Sequence, residues 1–511
     1  MLLTSFTWSQ DLVLGEEAAI TTLPGGLLFV TTDVSIDPDA SLTTTSDATA
    51  SGSLIVRGNT TGHITYKRHI NDINWHLVSA PVTDQNIPDF VGVSDNAVAH
   101  NMATHNNAVS YYKNTNAAGN RWTYHNTLET GPESQEELVN FNSGQGYFMK
   151  RTAVGEYTFT GAMANADVSV TIPTVSGSSH FWSAIGNPFP AFLAVNDAAD
   201  VTANLLKDNL TVLAPSFAFL YVWNGTSEEY DPIGVSGDAL QLAPGQAFMV
   251  RAKSGSETFT FKKELQNYKS GAATVYKSSA STPTISVHLT NGTSNKSANL
   301  EFLNSATIGL DVGYDAGAYQ DGTPTFSINT HLVSDSQGID FTRQSLPISS
   351  LDSEVTIPLS IYAGIDEAVT FSVDTNNVPD GVSVYLEDTL NNTFTNLTVA
   401  PLEIKITAAL RGIGRFHLRT SSGVLSTETN FVGSLMQVYK TSNGTVKITG
   451  LTSGSAATFS LFSISGQEVL ATKFIAQNVK EISLPASLSK GVYIVGVVSD
   501  LGTFHKKIVI E

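Results

Sequence analysis

The sequence predicts an all-β protein: tandem β-sandwich or β-rich domains, a short solenoid-like N-terminal segment and an Ig-like domain at the C-terminal end. Three observations predict it. Forty glycines, a charged fraction of only 14% and abundant Thr, Ser, Asn and Val favour strands and turns. Apolar spacing of three and four is nowhere sustained over three turns, so no amphipathic helix is expected. Short apolar runs recur instead between turn residues, at roughly eight- to twelve-residue spacing.

The 511 residues allow about three or four domains, and 41% apolar residues suffice for real cores. Residues 1–9 (MLLTSFTWS) are apolar, start without a charge, and read as the remnant of a signal peptide cleaved before Gln10. In residues 10–64, Leu27, Phe29, Val34, Ile36, Leu42, Leu54 and Val56 recur between Gly, Asp and Ser. That pattern suggests a few rungs of a β-solenoid, though its period is irregular.

Residues 65–268 contain a duplication, with copies at about 65–165 and 175–265. Each copy opens with Trp, two residues, a β-branched residue, two residues and Pro: Trp75, Val78 and Pro81, then Trp182, Ile185 and Pro188. An aromatic stretch follows: Tyr111, Tyr112, Trp122 and Tyr124, matched by Tyr221, Trp223 and Tyr230. Each copy closes on Gly-Gln and a basic residue: Gly144, Gln145 and Lys150, matched by Gly245, Gln246 and Arg251. The order implies one supersecondary unit used twice and packed against itself. The prolines should end their opening strands. Residues 268–283 read as a linker. Residues 283–422 have the short strands of a sandwich, at 284–289, 355–361, 369–373 and 382–387.

Residues 435–511 form the last β-domain. Seven lysines against four acids give it +3, while the whole chain carries 27 − 46 = −19, leaving −22 upstream. The sign change marks a module that is recognised separately.

Several chemistries are excluded or weak. No cysteine means no disulfide, thiolate metal site or cysteine nucleophile. The acidic balance and the lack of basic-aromatic clusters speak against nucleic acid. No apolar run of eighteen residues could span a bilayer as a helix. His76, His100, His105 and His125 cluster in sequence, but His100 and His105 are five apart, the wrong offset for one helical face. Asp311, Asp315 and Asp321 could offer oxygens to calcium, as could Asp33, Asp37 and Asp39, but neither set has EF-hand spacing; turn formation explains them as well. Calcium is thus the single cofactor left open. No Gly-x-Ser-x-Gly, His-Glu-x-x-His or phosphate loop is present, so the chain is expected not to be an enzyme. The sequons at Asn59, Asn224, Asn291 and Asn443 mark surface turns. If exposed, Tyr112, Trp122, Tyr221, Trp223 and Tyr230 would form a stacking platform for sugars; otherwise they fill a core between the copies.

The C-terminal module resembles the C-terminal sorting domain (type A) of the type IX secretion system. FSLFSISGQEVL (459–470) is similar to the family's central strand and turn, with Gly466 and Gln467. ISLPASLSKGVYIVGVVSD (482–500) is similar to its penultimate hairpin, with Lys490, Gly491, Val492 and Tyr493. FHKKIVIE (504–511) is similar to its lysine-capped last strand, with Lys506 and Lys507. The usual Tyr-Pro-Asn-Pro-like opening is replaced by Val438, Tyr439, Lys440, Thr441, Ser442 and Asn443, without either proline. Upstream, GSLIVRGNTTGHITYKRHI (52–70), residues 182–190, residues 384–397 and GRFHL (414–418) resemble segments of large secreted proteins of the Bacteroidetes phylum. The resemblance implies a cargo of the type IX machinery that crosses the periplasm and is released or anchored at the outer surface, for instance on a surface glycan or lipopolysaccharide. It also implies an adhesin-like role, expected to be non-catalytic; the repeated aromatics give carbohydrate binding as the alternative, and extracellular hydrolysis is the lesser one.

Overall fold

The computed structural model describes residues 3–8, 11–127, 139–172, 180–236, 239–268, 282–352 and 355–422, and within the C-terminal unit 437–440, 445–449, 451, 454–463, 466–476, 479–485, 488–499 and 502–510. The signal-cleavage position at Ser9 and most of the 268–283 linker lie outside the described residues. Strands take up 53% of the structure and helices 6%, so the all-β expectation holds. The chain divides into two compact units, residues 1–422 and 423–511.

The first unit begins with stacked parallel strands. Ala19–Val30 pairs in parallel with Leu3–Trp8, Ser41–Thr45 and Ser53–Val56, and Ser41–Thr45 pairs in parallel with Ile64–Ile70. Partners are offset by 22 residues at Ile20↔Leu42 and Thr43↔Thr65, but by 26 at Leu27↔Ser53. The extra four residues, 47–50, form a turn closed by Ser46 and Ser51. Asp47 accepts hydrogen bonds from the Thr49 and Ala50 amides there, the local geometry Asp favours. This insertion explains the irregular sequence period. Alternate residues Leu12, Leu14, Leu28, Val30, Val34, Ile36, Leu54 and Val56 are buried, and only stacked rungs can bury such a face. Gly62 closes one turn at φ +86°, where a Cβ would sit 2.3 Å from the Ile36 carbonyl oxygen; only glycine fits.

Two sheets follow, built in the same order. In the first, Trp75–Val78 lies beside Tyr147–Lys150, then Asn106–Tyr112, then Trp122–Asn126. In the second, Trp182–Gly186 lies beside Ala247–Arg251, then Leu220–Asn224, then Glu229–Ile233. Trp75 pairs with Lys150, and Trp182 with Arg251. Both Trp strands end before their proline. The sheets clasp reciprocally: Val78 bridges Gln246 while Ile185 bridges Gln145. The Ser79 amide donates to the Gly245 carbonyl, and the Gly186 amide to the Gly144 carbonyl, both at 2.9 Å.

Each sheet carries a short helix capped by asparagine: Ile87–Gly92 by Asn86 and Leu205–Asn209 by Asn204. A buried asparagine ties each helix to a strand outside these two sheets: Gly155–Gly161, which pairs with Ile64–Ile70, and Thr258–Phe261 respectively. Asn96 donates to the Phe90 carbonyl and accepts from the Thr158 amide. Asn209 donates to the Leu205 and Thr260 carbonyls and accepts from the Thr260 amide.

Residues 283–422 form, among the described residues, one eleven-stranded sheet that curls over itself. Phe371 of Ala368–Asn376 and Phe416 of Leu410–Ser422 lie far apart in strand order, yet their rings pack at 5.0 Å. The expected strands are present as Thr284–Thr290, Thr356–Ala363, Ala368–Asn376 and Val382–Asp388. Alternate residues Ile285, Val287 and Leu289 are fully buried, as period-two patterning requires. The sheet belongs to the same compact unit as the parts before it.

The second unit has two sheets. Gln437–Lys440, Thr445–Thr449 and Val479–Ser483 form one. Glu468–Ile475, Ala456–Ser463, Gly491–Ser499 and Gly502–Ile510 form the other, in that order. Val438, Val446 and Ile448 from the first, and Phe459, Leu461, Val495 and Val497 from the second, are 0% exposed and make its core.

Candidate functional site

In the upstream unit the aromatics of both sheets join one run. Tyr124 meets Trp75 edge-on at 5.9 Å, and Trp75 stacks on Phe148 at 5.0 Å. Phe148 meets Trp223 at 5.3 Å, Trp223 meets Tyr230 at 5.0 Å, and Tyr230 meets Tyr319 at 4.5 Å. The Trp223 indole Nε1 donates to the Trp75 carbonyl at 2.9 Å, which fixes its ring between the two sheets.

One end of this run opens into a groove of about 560 Å³, within the range of small-ligand sites. Its floor is Trp223, Tyr230 and Tyr319, with Phe326 beside them. Planar polar groups rim it: Asn224, Asp231, Asn299, Gln320 and Arg343. The Glu229–Lys296 ion pair, at 2.7 Å, ties the Glu229–Ile233 strand to the third sheet. The Asn224 amide donates to the Asp231 carboxylate at 3.0 Å. Gln320 donates to Asp340 at 2.8 Å, and the His331 ring meets the same carboxylate at 2.8 Å. These bonds hold the Asp340 carboxyl below the usual carboxylate range although burial opposes them. Asn224, Asp231 and Gln320 are therefore held in place, as a preorganised site requires.

The five aromatics singled out from sequence part company here. Tyr221 is fully buried and its hydroxyl donates to the Gly317 carbonyl at 2.7 Å. Tyr112 is 5% exposed. Both are core residues, and burial pushes both phenols up; neither can stack on a ligand. Trp122 is half-buried, stacked on Phe148 at 5.0 Å and edge-on to Tyr112 at 5.1 Å. Trp223 and Tyr230 alone of the five line the groove. Lys296, Tyr319, Gln320 and Arg343 come from the third sheet and its loops. Sequence gave no sign of them, because nothing local links those loops to the Trp223 hairpin.

The aspartates singled out for calcium brace loops. Asp315 is fully buried and accepts from the Asp311 and Ser345 amides, both at 2.6 Å. Asp311 accepts from the Thr307 amide at 2.6 Å. Asp321 pairs with Arg121 and accepts from the Gly119 amide at 3.1 Å. Asp33 accepts from the Asn59 amide and Asp37 from the Asp39 amide. His76 pairs with Asp72 at 2.9 Å, whereas His100 and His125 share Asn107 and the His100 and His105 rings lie 6.5 Å apart. Among the described residues no group of three His, Cys, Asp or Glu is placed to hold a metal.

In the C-terminal unit, Gly466 takes φ +83° in the turn between Ala456–Ser463 and Glu468–Ile475. There the Gln467 amide donates to the Ser463 hydroxyl and the Ser463 amide to the Gln467 carbonyl. Lys490 precedes the Gly491–Ser499 strand, which carries Gly491, Val492 and Tyr493. Tyr493 is nearly buried and donates to the Ser489 carbonyl at 2.9 Å. Lys506 and Lys507 stand exposed on Gly502–Ile510, the terminal strand of its sheet. Lysines on an edge strand keep it from pairing indiscriminately.

Two family models match the chain. One, described as a secretion system C-terminal sorting domain, matches residues 441–511. The other, described as a domain of unknown function (DUF8693), matches residues 4–419. No curated protein matches the chain. No helix among the described residues is long and apolar enough to cross a membrane. The chain thus belongs to the DUF8693 family and, by its sorting tail, is a type IX secretion cargo protein, released or attached at the outer surface.

Proposed function

We infer that the exported unit is a non-catalytic, adhesin-like binding protein and that the groove at Trp223, Tyr230 and Tyr319 takes a carbohydrate. The groove carries this reading. It combines aromatic rings, which present apolar faces to a sugar's C–H face, with fixed amide, carboxylate and guanidinium groups that can bond adjacent hydroxyls. The two matched sheets support it as one unit used twice, which generates the shared aromatic run. A glycan array with the full secreted chain tests it, repeated with Tyr230→Ala and Gln320→Ala. Each variant is expected to weaken the best ligand roughly tenfold, ~1.4 kcal/mol. Absence of any glycan ligand, or unchanged binding in both variants, would remove the reading. The export half is tested separately: a chain lacking residues 435–511 should stay in the periplasm.

Hydrolysis has one observation in its favour. Ser336 lies 3.2 Å from His331 Nδ1, and His331 Nε2 lies 2.8 Å from Asp340, the residue types of serine hydrolases but with the two ring nitrogens exchanged. Against it, none of the three lines the groove, and Asp340 is engaged in holding Gln320. Labelling of Ser336 by a fluorophosphonate probe, lost in Ser336→Ala, would favour hydrolysis over simple binding.

A further inference from the structure

We propose that the first sheet carries a second subsite, which takes a carboxylate-bearing sugar residue, so that the ligand is a uronic-acid polysaccharide. This rests on the carbohydrate reading above and names the ligand class. The site is a hollow of about 400 Å³ at the other end of the aromatic run, lined by Trp75, Tyr124, His100, Asn101, Asn106 and Lys150. Phe148 stacks on the Trp75 indole and Tyr124 meets it edge-on, so the indole is held as a rigid wall.

Charge gives the ligand class. The chain has 46 acids against 27 bases, yet no Asp or Glu lines this hollow. Lys150 sits directly across the strand pair from Trp75 and, among the described residues, has no carboxylate within ion-pairing distance. An ammonium with no counter-ion among the described residues, beside an indole wall, suits a sugar ring whose carboxylate reaches the lysine. Asn107 orients the rim. Its Oδ1 accepts from His100 Nδ1 at 3.0 Å, and its Nδ2 donates to His125 Nδ1 at 2.9 Å. The His100 ring is thereby held at the rim of the hollow.

The matching place in the second sheet is filled. Arg251, across from Trp182, lies over the Phe217 ring at 4.0 Å. Phe217, Tyr221 and Tyr319 enclose Trp182. One scaffold thus holds a plugged position and an open one, and the open one has a cation with no carboxylate partner among the described residues. The hollow and the groove end the same run of rings, so a polymer seated in one is within reach of the other, and two weak sites act together.

Isothermal titration of the full secreted chain against polygalacturonate and neutral laminarin, at low and high salt, tests the proposal. The acidic polymer should bind at least about tenfold tighter, and salt should erode that margin. Lys150→Met should remove the margin, while Lys150→Arg keeps most of it; an unchanged melting temperature shows that the variants fold. If Lys150→Met leaves the ratio as in the parent, the subsite is wrong. If Lys150→Met has that effect but Tyr230→Ala has none on either polymer, the groove reading fails and the subsite stands. If neither polymer binds, both fall.

Discussion

Replacing Asn209 by Ala should unfold the upstream unit more easily by about 4 kcal/mol, and replacing Asn96 by Ala by about 3 kcal/mol. The magnitudes follow from the contacts. The Asn209 side chain makes three hydrogen bonds at 2.8 to 3.0 Å and is 2% exposed. Asn96 makes two, at 2.7 and 2.8 Å, and is 0% exposed. Each bond is worth about 1 kcal/mol net, and each substitution also strands one strand amide, at roughly 1–3 kcal/mol. Water cannot enter freely to replace the lost partner, because the helix and sheet close over it. Chemical denaturation followed by tryptophan fluorescence is the assay: all five tryptophans, residues 8, 75, 122, 182 and 223, lie upstream of 423, so the signal reports this unit alone. Coincidence of emission intensity with emission maximum checks that the transition is two-state. Asn209→Asp keeps the acceptor for the Thr260 amide but turns a carboxylate toward two carbonyls, so it should be destabilising at neutral pH and recover on acidification. A loss under about 1 kcal/mol for either alanine variant would refute the view that these asparagines bind helix to sheet.

Burial pushes the Asp315 carboxyl up to about 7 despite its two backbone donors. The folded state therefore holds a proton the unfolded chain releases, and stability that is complete below about pH 4 should fall by about 4 kcal/mol as pH rises to 7. Denaturant midpoints against pH measure it, and Asp315→Asn should flatten that limb. Asp388 is the opposite case. Arg415 grips its carboxylate through two bonds, at 2.9 and 2.7 Å, and holds its pKa below the ordinary value against a desolvation penalty. Its stabilisation is present above about pH 4 and lost as pH falls through the folded pKa. Asp388→Ala leaves a largely buried guanidinium unpaired and should cost about 3–5 kcal/mol at pH 7, with a shallower acid limb. Gly62→Ala forces a Cβ against the Ile36 carbonyl at positive φ and should cost about 2 kcal/mol or more, read as a lowered melting temperature.

Composition and period-two patterning alone determine that the chain is all-β, because Thr, Val and Gly with few charges cannot make an amphipathic helix face. The sorting tail is equally legible, since its turn glycine, buried tyrosine and edge lysines are local requirements of one small module. Landmark spacing also brings out the Trp-to-Gly-Gln likeness, since each landmark meets a local need: the proline ends a strand, and the glycine takes φ +77° or +65°. Which aromatics stay accessible was decided by tertiary structure. Tyr112, Trp122, Tyr221, Trp223 and Tyr230 look alike in sequence, yet two are core and two line a groove. The difference is set by the third sheet, whose loop brings Tyr319 against Trp182 and Tyr230, closing one position and shaping the other. The same holds for Lys150: its sequence neighbours do not tell whether a carboxylate lies near it. Pairing across strands and sheets decides which side chains meet. One chain can thus announce its fold class and its export address while its grooves and hollows stay hidden until residues more than a hundred positions apart are brought together.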